Sequence, residues 1–391
     1  ITQYPNAYPD DLGDLHIYNS AYSANDIAKL FPIKPFDFTG ATTTADTMVA
    51  SSELKTTNEY SDSWLKFKYN NYKELEGEYG PITRLVINNE KMLAFQPRGI
   101  AVLSILDREA VQTNNTAELA IGTGGILSRY DYLTKSTGTS LYDAIVPTER
   151  GIYYYDNYNH ALYRILDTLE SISDTKGMKS YFESSQYTTL LGAYDKANRE
   201  VLFTPNHLSV PLAQDTIVFS GMADLFSGFY THGVVYNYIT FDRFLLSSKD
   251  GNAFYIHNHP TLSKPNVFFG SYYTSTLTQI VNPQQTNVCT FNVIELMTDL
   301  KSSAGADVLT STFDSVAIVN THQNTNTISL DPSSNTDVKR RFRKWRLNIF
   351  RDQTLEDGAP CNKRIRDSWM KPTYSFLQTA ALRKLIVYPI N

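Results

Sequence analysis

Tyr155-Asp156-Asn157-Tyr158-Asn159-His160-Ala161-Leu162-Tyr163 and Tyr194-Asp195-Lys196-Ala197-Asn198-Arg199-Glu200-Val201-Leu202-Phe203 follow one pattern. Each runs from an aromatic residue through Asp, two variable residues and Asn into a second apolar run. Asp and Asn tolerate the left-handed backbone of a tight turn and accept hydrogen bonds from their own main chain, while the flanking aromatic and branched residues suit a pleated surface. Each copy predicts a β-hairpin, with Asp156, Asn159, Asp195 and Asn198 as its structural turn residues. Looser copies run over 86–95, turning near Asn88, and 244–255, turning near Asp250. Hairpins recurring at uneven spacing along one chain predict β-propeller-like blades carrying loop insertions.

The composition agrees. Of 391 residues, 42% are hydrophobic and only 19% charged, and 27 of the aromatics are Tyr, a balance that suits half-exposed strands and little helix. The formal net charge of −5 excludes a general nucleic-acid binder. Cys289 and Cys361 are too few for a disulfide framework and are expected as buried thiols. No apolar run approaches the roughly 20 residues a membrane helix needs. The chain starts at Ile1 with no charged segment leading into an apolar one, so it reads as a piece of a longer chain.

Three regions are expected. Residues 1–41, rich in Pro, Tyr, Asp and Asn, form an extended arm with one short helical candidate over 23–30. Residues 42–282 form the propeller-like domain, with a strand at 64–69 and a helix over 171–184 that Gly177 weakens. Residues 283–391 form a β-rich closing module of longer strands separated by polar loops such as 320–335.

Few residue clusters suggest chemistry. Gly122-Thr123-Gly124-Gly125 lacks the Lys-Ser/Thr and the following helix of a phosphate loop and is expected as a turn. His257 and His259 lie two apart, but no third ligand stands at a characteristic spacing, so they read as a strand end. Residues 248–254 resemble the Asp-box turn of sialidase-like propellers with the glycine displaced, a turn that is structural there too. No Gly-x-Ser-x-Gly nucleophile elbow is present, and no cofactor or metal is expected.

The sharpest charge feature is the run 339–351, with seven basic residues and no acidic one. Read as one strand, it places Arg341, Arg343 and Trp345 on one face and Lys344 and Arg346 on the other. Either the run pairs with acids of its own fold, or Arg340, Arg341, Arg343, Lys344 and Arg346 contact an acidic neighbour or DNA phosphates.

Several short motifs in a fixed order carry a family resemblance. They are Ser61-Asp62-Ser63-Trp64 with Phe67, Tyr79-Gly80-Pro81-Ile82-Thr83-Arg84-Leu85, and Leu93-Ala94-Phe95-Gln96-Pro97-Arg98-Gly99-Ile100. Gly122–Gly125, Gly151-Ile152-Tyr153-Tyr154-Tyr155-Asp156, Ala193-Tyr194-Asp195, Phe269-Gly270-Ser271-Tyr272-Tyr273 and Lys363-Arg364-Ile365-Arg366-Asp367 follow. From about residue 40 onward the chain resembles the muzzle or nozzle proteins of crAss-like and related short-tailed bacteriophages, which are usually far longer.

The resemblance implies a non-enzymatic virion structural protein in the distal tail. It would assemble with copies of itself into a ring that closes the portal channel and passes DNA on ejection. Its partners would be other tail and portal-adjacent virion proteins, with transient contact to genomic DNA. The competing expectation is a carbohydrate-active or glycan-binding propeller at a bacterial surface, which needs two carboxylates and stacked aromatics in a pocket.

Overall fold

The computed structural model describes residues 45–388 except 53–66, 68–70, 89–90, 106–108, 113–117, 122–125, 186, 206–214, 233–234, 250–252, 260–265, 284–285, 303, 357 and 378–383. The expected arm over 1–41 with its helix, the strand over 64–69 apart from Phe67, Gly122–Gly125 and Asp250 lie outside the described residues. Contacts divide the chain into two units, one ending at Arg243 and one starting at Phe244. The protein is mostly β, with propeller-like blades in the first unit and a β-rich module in the second. No helix among the described residues is long and apolar enough to cross a membrane.

Three four-stranded antiparallel sheets follow one another in the first unit, each with its strands in sequence order. The first blade uses Arg84–Asn88, Lys91–Phe95, Ile100–Ile105 and Leu127–Thr134, with the hairpin Glu109–Gln112/Glu118–Ile121 inserted before its last strand. The second uses Ile145–Pro147, Ile152–Asp156, Ala161–Ile165 and Leu169–Ser171, and the third Leu190–Asp195, Glu200–Pro205, Thr216–Ser220 and Leu225–Tyr230. The expected helix over 171–184 is two short helices, Ile172–Thr175 and Lys179–Ser184. Gly177, at φ +80°, supplies the left-handed residue that ends the first of them.

Alternation explains why one strand of the middle blade is buried throughout. Ile152 and Tyr154 join Val86, Leu93, Phe95 and Ile100 of the first blade in one cluster. Tyr153 and Tyr155, pointing the other way, join Val201, Phe203, Ile217 and Phe219 of the third. A strand covered on both faces has no solvent side, so Ile152–Asp156 is buried at every position. These tyrosines are therefore core residues, not the half-exposed ones that the composition suggests.

Two arginines staple the blades. Arg84 Nη1 donates to the carbonyls of Tyr142 and Ile145 at 3.2 and 2.9 Å, tying the first blade to the opening of the second. Arg164 in the second blade bridges Glu170 at 2.6 Å and Asp224, in a turn of the third, at 2.5 Å; Lys176 reaches the same Asp224 at 2.6 Å. The Arg164 hydrogen bond holds the Glu170 carboxyl below its ordinary range, and Lys176 with Arg164 does the same for Asp224.

Stability from depressed carboxyls is complete above the ordinary carboxylate range and is lost as pH falls through the depressed values. Arg164→Ala is therefore expected to cost about 2 kcal/mol at neutral pH. In thermal melts the deficit should shrink once pH drops below about 4. A deficit that is constant with pH would instead assign Arg164 to packing over the Phe219 ring, 5.9 Å away.

In the second unit, Thr274–Thr278, Lys371–Leu377, Ser315–Val319 and Asn324–Ser329 form one antiparallel sheet. The nine-residue strand Val293–Lys301 organises another, pairing first with Lys344–Asn348 and then with Lys384–Tyr388. Inward residues of both sheets, among them Ile294, Trp345 and Leu347 with Val316, Tyr374 and Phe376, make one core. Residues 320–335, expected as a polar loop, contain the strand Asn324–Ser329. Asn326, at φ 56°, and a register shift in the pairing with Ser315–Val319 interrupt its alternation, so buried Thr325 and Ile328 stand three apart and period 2 fails.

Candidate functional site

Asp156 is fully buried; its Oδ1 accepts from the Tyr158 and Asn159 amides at 2.8 and 2.9 Å, and its Oδ2 from Asn159 Nδ2 at 2.8 Å. Oδ2 also accepts the Gly138 amide at 3.2 Å, which links the turn to the loop after the first blade. Burial raises the Asp156 carboxyl above its ordinary range, and these four donors oppose that rise. Asp195 repeats the turn, accepting from the Ala197 and Asn198 amides at 2.9 and 3.4 Å and from Asn198 Nδ2 at 3.2 Å. His160 and Arg199 close these four-residue loops in the left-handed region. Asn88 pairs with Lys91 at the end of its hairpin.

Sequence reading missed a third loop of the same length, between Ser220 and Leu225, closed by left-handed Asp224. Serine takes the place of the aspartate there, and the Asp closing the loop serves the staple. The motif Gln96-Pro97-Arg98-Gly99 is a seam as well. Fully buried Gln96 donates to the carbonyls of Glu76 and Gly80 at 3.1 and 2.7 Å and accepts from Tyr132 Oη at 2.8 Å.

The basic run is not one strand. Val338–Arg341 and Lys344–Asn348 pair as a hairpin whose turn is Phe342-Arg343, both residues in the left-handed region at φ 47° and 68°. Two-residue turns of this kind ordinarily use Asn or Gly, so Phe-Arg carries no hairpin signal in the sequence. The hairpin also reassigns the faces. Val338, Arg340, Trp345 and Leu347 point inward, while Lys339, Arg341, Lys344 and Arg346 share the outward face.

Acids of the same fold take part of this charge. Asp299 lies 2.5 Å from Arg343 and 3.9 Å from Arg340, and the Arg343 hydrogen bond holds its carboxyl below the ordinary range. Lys344 lies 3.6 Å from Glu295. Lys339, Arg341 and Arg346 are exposed, and none forms an ion pair among the described residues. Of the five predicted contact residues, Arg341, Lys344 and Arg346 thus share one face, while Arg340 and Arg343 converge on Asp299.

A polar cleft of about 510 Å³ is lined by Thr290, His322, Asp352, Glu356, Lys363 and Arg366, among others. Burial raises the Asp352 carboxyl, but hydrogen bonds from Thr354, Asn324 and Gln323 outweigh it and bring it below the usual range. The Cys361 thiol and then Lys363 hold Glu356 low. A general acid needs the opposite shift. Cys289 and Cys361, expected as buried, are half-buried free thiols. His257 ends its strand and lies 2.5 Å from Ser247 Oγ, and left-handed Asn258 turns the chain before His259, which stacks on Phe244.

The model of the crassvirus muzzle protein matches residues 6–251, and that of the crassvirus muzzle protein C-terminal domain matches 263–352. The chain belongs to the crassvirus muzzle protein family. The muzzle protein of Bacteroides phage crAss001 is 24% identical over 335 residues, covering 82% of this chain and 23% of that protein. The chain thus spans about a quarter of the length of that curated relative. All three blades fall inside the first muzzle match, and the basic hairpin inside the match to the C-terminal domain.

Proposed function

We propose that the chain is a non-enzymatic structural part of the phage tail, one copy in a ring that closes the portal channel at the distal tail and passes DNA on ejection. What carries this reading is the pair of muzzle family matches, in order, across the blades and the following module. A stack whose middle blade packs against a neighbour on each face suits a load-bearing wall, and the staples at Arg84 and Arg164 resist separation of its layers. The chain meets its own copies and neighbouring tail and portal-adjacent proteins there.

Gold-conjugated antibodies against the chain, applied to purified particles, test this location by electron microscopy. Labelling confined to the distal tail is the expected result, and class averages of that region should be rotationally symmetric. Labelling on the capsid, or none on intact or detergent-opened particles, would overturn the reading.

A further inference from the structure

The first strands of successive blades lie beside one another, and the strands at the two ends of this row differ from those between. In the second blade Ile145 joins the core shared with the first blade and Val146 the core shared with the third, so its first strand is packed on both sides. Arg84–Asn88 begins the row. Val86 faces the second blade, but Leu85 and Ile87 point the other way and are 43% and 67% exposed. The hairpin Met48–Ala50/Tyr72–Glu74 covers that face over the third strand, where Val49 and Leu75 join Ala101 and Leu103, and leaves the first strand open. Asn237–Phe241 ends the row, beside the first strand of the third blade. Its Tyr238 hydroxyl shares a 2.7 Å hydrogen bond with Thr204 of that blade. Alternation turns Ile239 and Phe241 away from the stack, where they are 42% and 70% exposed.

Both ends of one stack thus offer a pair of large apolar side chains at positions that the interior seams bury. We propose that the two ends dock on each other between copies of the chain, Ile239 and Phe241 of one copy against Leu85 and Ile87 of the next, so that blade stacking continues across the boundary. Charges at the turns give the same order. At the interior seam Glu149, in the first turn of the second blade, lies 3.9 Å from Lys196, in the first turn of the third, acid before base. Asp242 follows Asn237–Phe241 in its turn, and Lys91 closes the first turn of the first blade. Both are exposed, and no ion pair joins either to a described residue. Docked end to start, they repeat acid before base. Two different surfaces in contact make a heterologous interface, which closes into a ring when its rotations sum to a full turn. The inference deepens the reading of a ring built from copies of the chain and rests on it for that closure.

Sedimentation velocity of the chain over a concentration series tests the contact. Wild type should associate, sedimenting faster as concentration rises. Ile87→Glu and Phe241→Glu should each stay monomeric, because either one removes one of the two faces. Both should melt as wild type does, since the substituted side chains are exposed. Their equimolar mixture should form a one-to-one dimer and grow no further, because each variant keeps the face that the other lacks. Lys91→Asp should weaken association about fivefold, and adding Asp242→Lys to the same chain should restore it.

A wild-type chain still monomeric at about 1 mM, where even weak specific contacts are half formed, overturns the proposal. Association that survives in either variant also overturns it, by assigning the contact to a face that pairs with its own kind or to another surface. So does a mixture that stays monomeric. The gold labelling reads the location separately: a monomeric chain found at the distal tail fails the contact and keeps the location, and an associating chain found elsewhere does the reverse.

Discussion

Tyr154→Ala is expected to lower the stability of the blade unit by about 4 kcal/mol. Tyr154 has no exposed surface and sits where the second blade meets the first. Its ring meets Phe95 edge-on at 5.3 Å and stacks on Tyr163 at 5.5 Å, and its hydroxyl shares a 2.9 Å hydrogen bond with Thr137. Truncation would remove both ring contacts and leave a void between two sheets that cannot close without moving strands. Tyr154→Phe keeps the rings and loses the hydrogen bond, for about 1 kcal/mol.

Urea unfolding followed by near-ultraviolet circular dichroism separates the two effects. With two units in the chain, the comparison belongs to the transition that the variants shift, not to a single global midpoint. Tyr158, on the surface of the neighbouring turn, is the control. If Tyr154→Ala cost no more than Tyr158→Ala, packing between blades would not be what holds this unit together.

The chemistry that was legible in the sequence is the chemistry that acts within a few residues. Asp156 with Asn159 and Asp195 with Asn198 were readable because an Asx turn is closed by its own main chain. The hairpins followed from them. What those turns are tied to was not readable, since the Gly138 bond to Asp156 spans 18 residues and the Arg164 bond to Asp224 spans 60. Nor could alternation within Ile152–Asp156 reveal two buried faces, because an uninterrupted apolar run looks alike in a covered strand and in a buried helix.

Misreadings in the second unit have the same origin. The basic run reads as straight because Phe342 and Arg343 are poor turn residues by propensity, and they occupy the turn nonetheless. The strand Asn324–Ser329 was hidden by Asn and Thr at positions where a bulge breaks the period. In both places tertiary pairing overrides local preference. Such conflicts between local and global signals concentrate where a protein does something besides fold.

The seam between the first two blades yields the other large effect. Gly138 is buried, its amide bonded to Asp156, and a methyl group added at its Cα would lie 2.0 Å from the Gln96 carbonyl and 2.8 Å from the Gly99 amide. Both obstacles are backbone, so no side chain can swing aside. Gln96 is itself fixed by hydrogen bonds to Glu76, Gly80 and Tyr132, which leaves the strand ends to move instead. Gly138→Ala is therefore expected to cost 3 kcal/mol or more, at the top of the ordinary range for overpacking.

Gly177→Ala meets no atom within 4 Å and should cost about 1 kcal/mol, from its left-handed backbone alone. Asp156→Ala attacks the same seam without steric insertion. It strands the buried Gly138 amide while water can reach the exposed Tyr158 and Asn159 turn, for about 2 kcal/mol. Calorimetry on the three variants should rank the losses Gly138, Asp156, Gly177. A Gly138→Ala protein as stable as Gly177→Ala would mean that the loop after the first blade yields freely, and the close approach would then not be what joins these two blades.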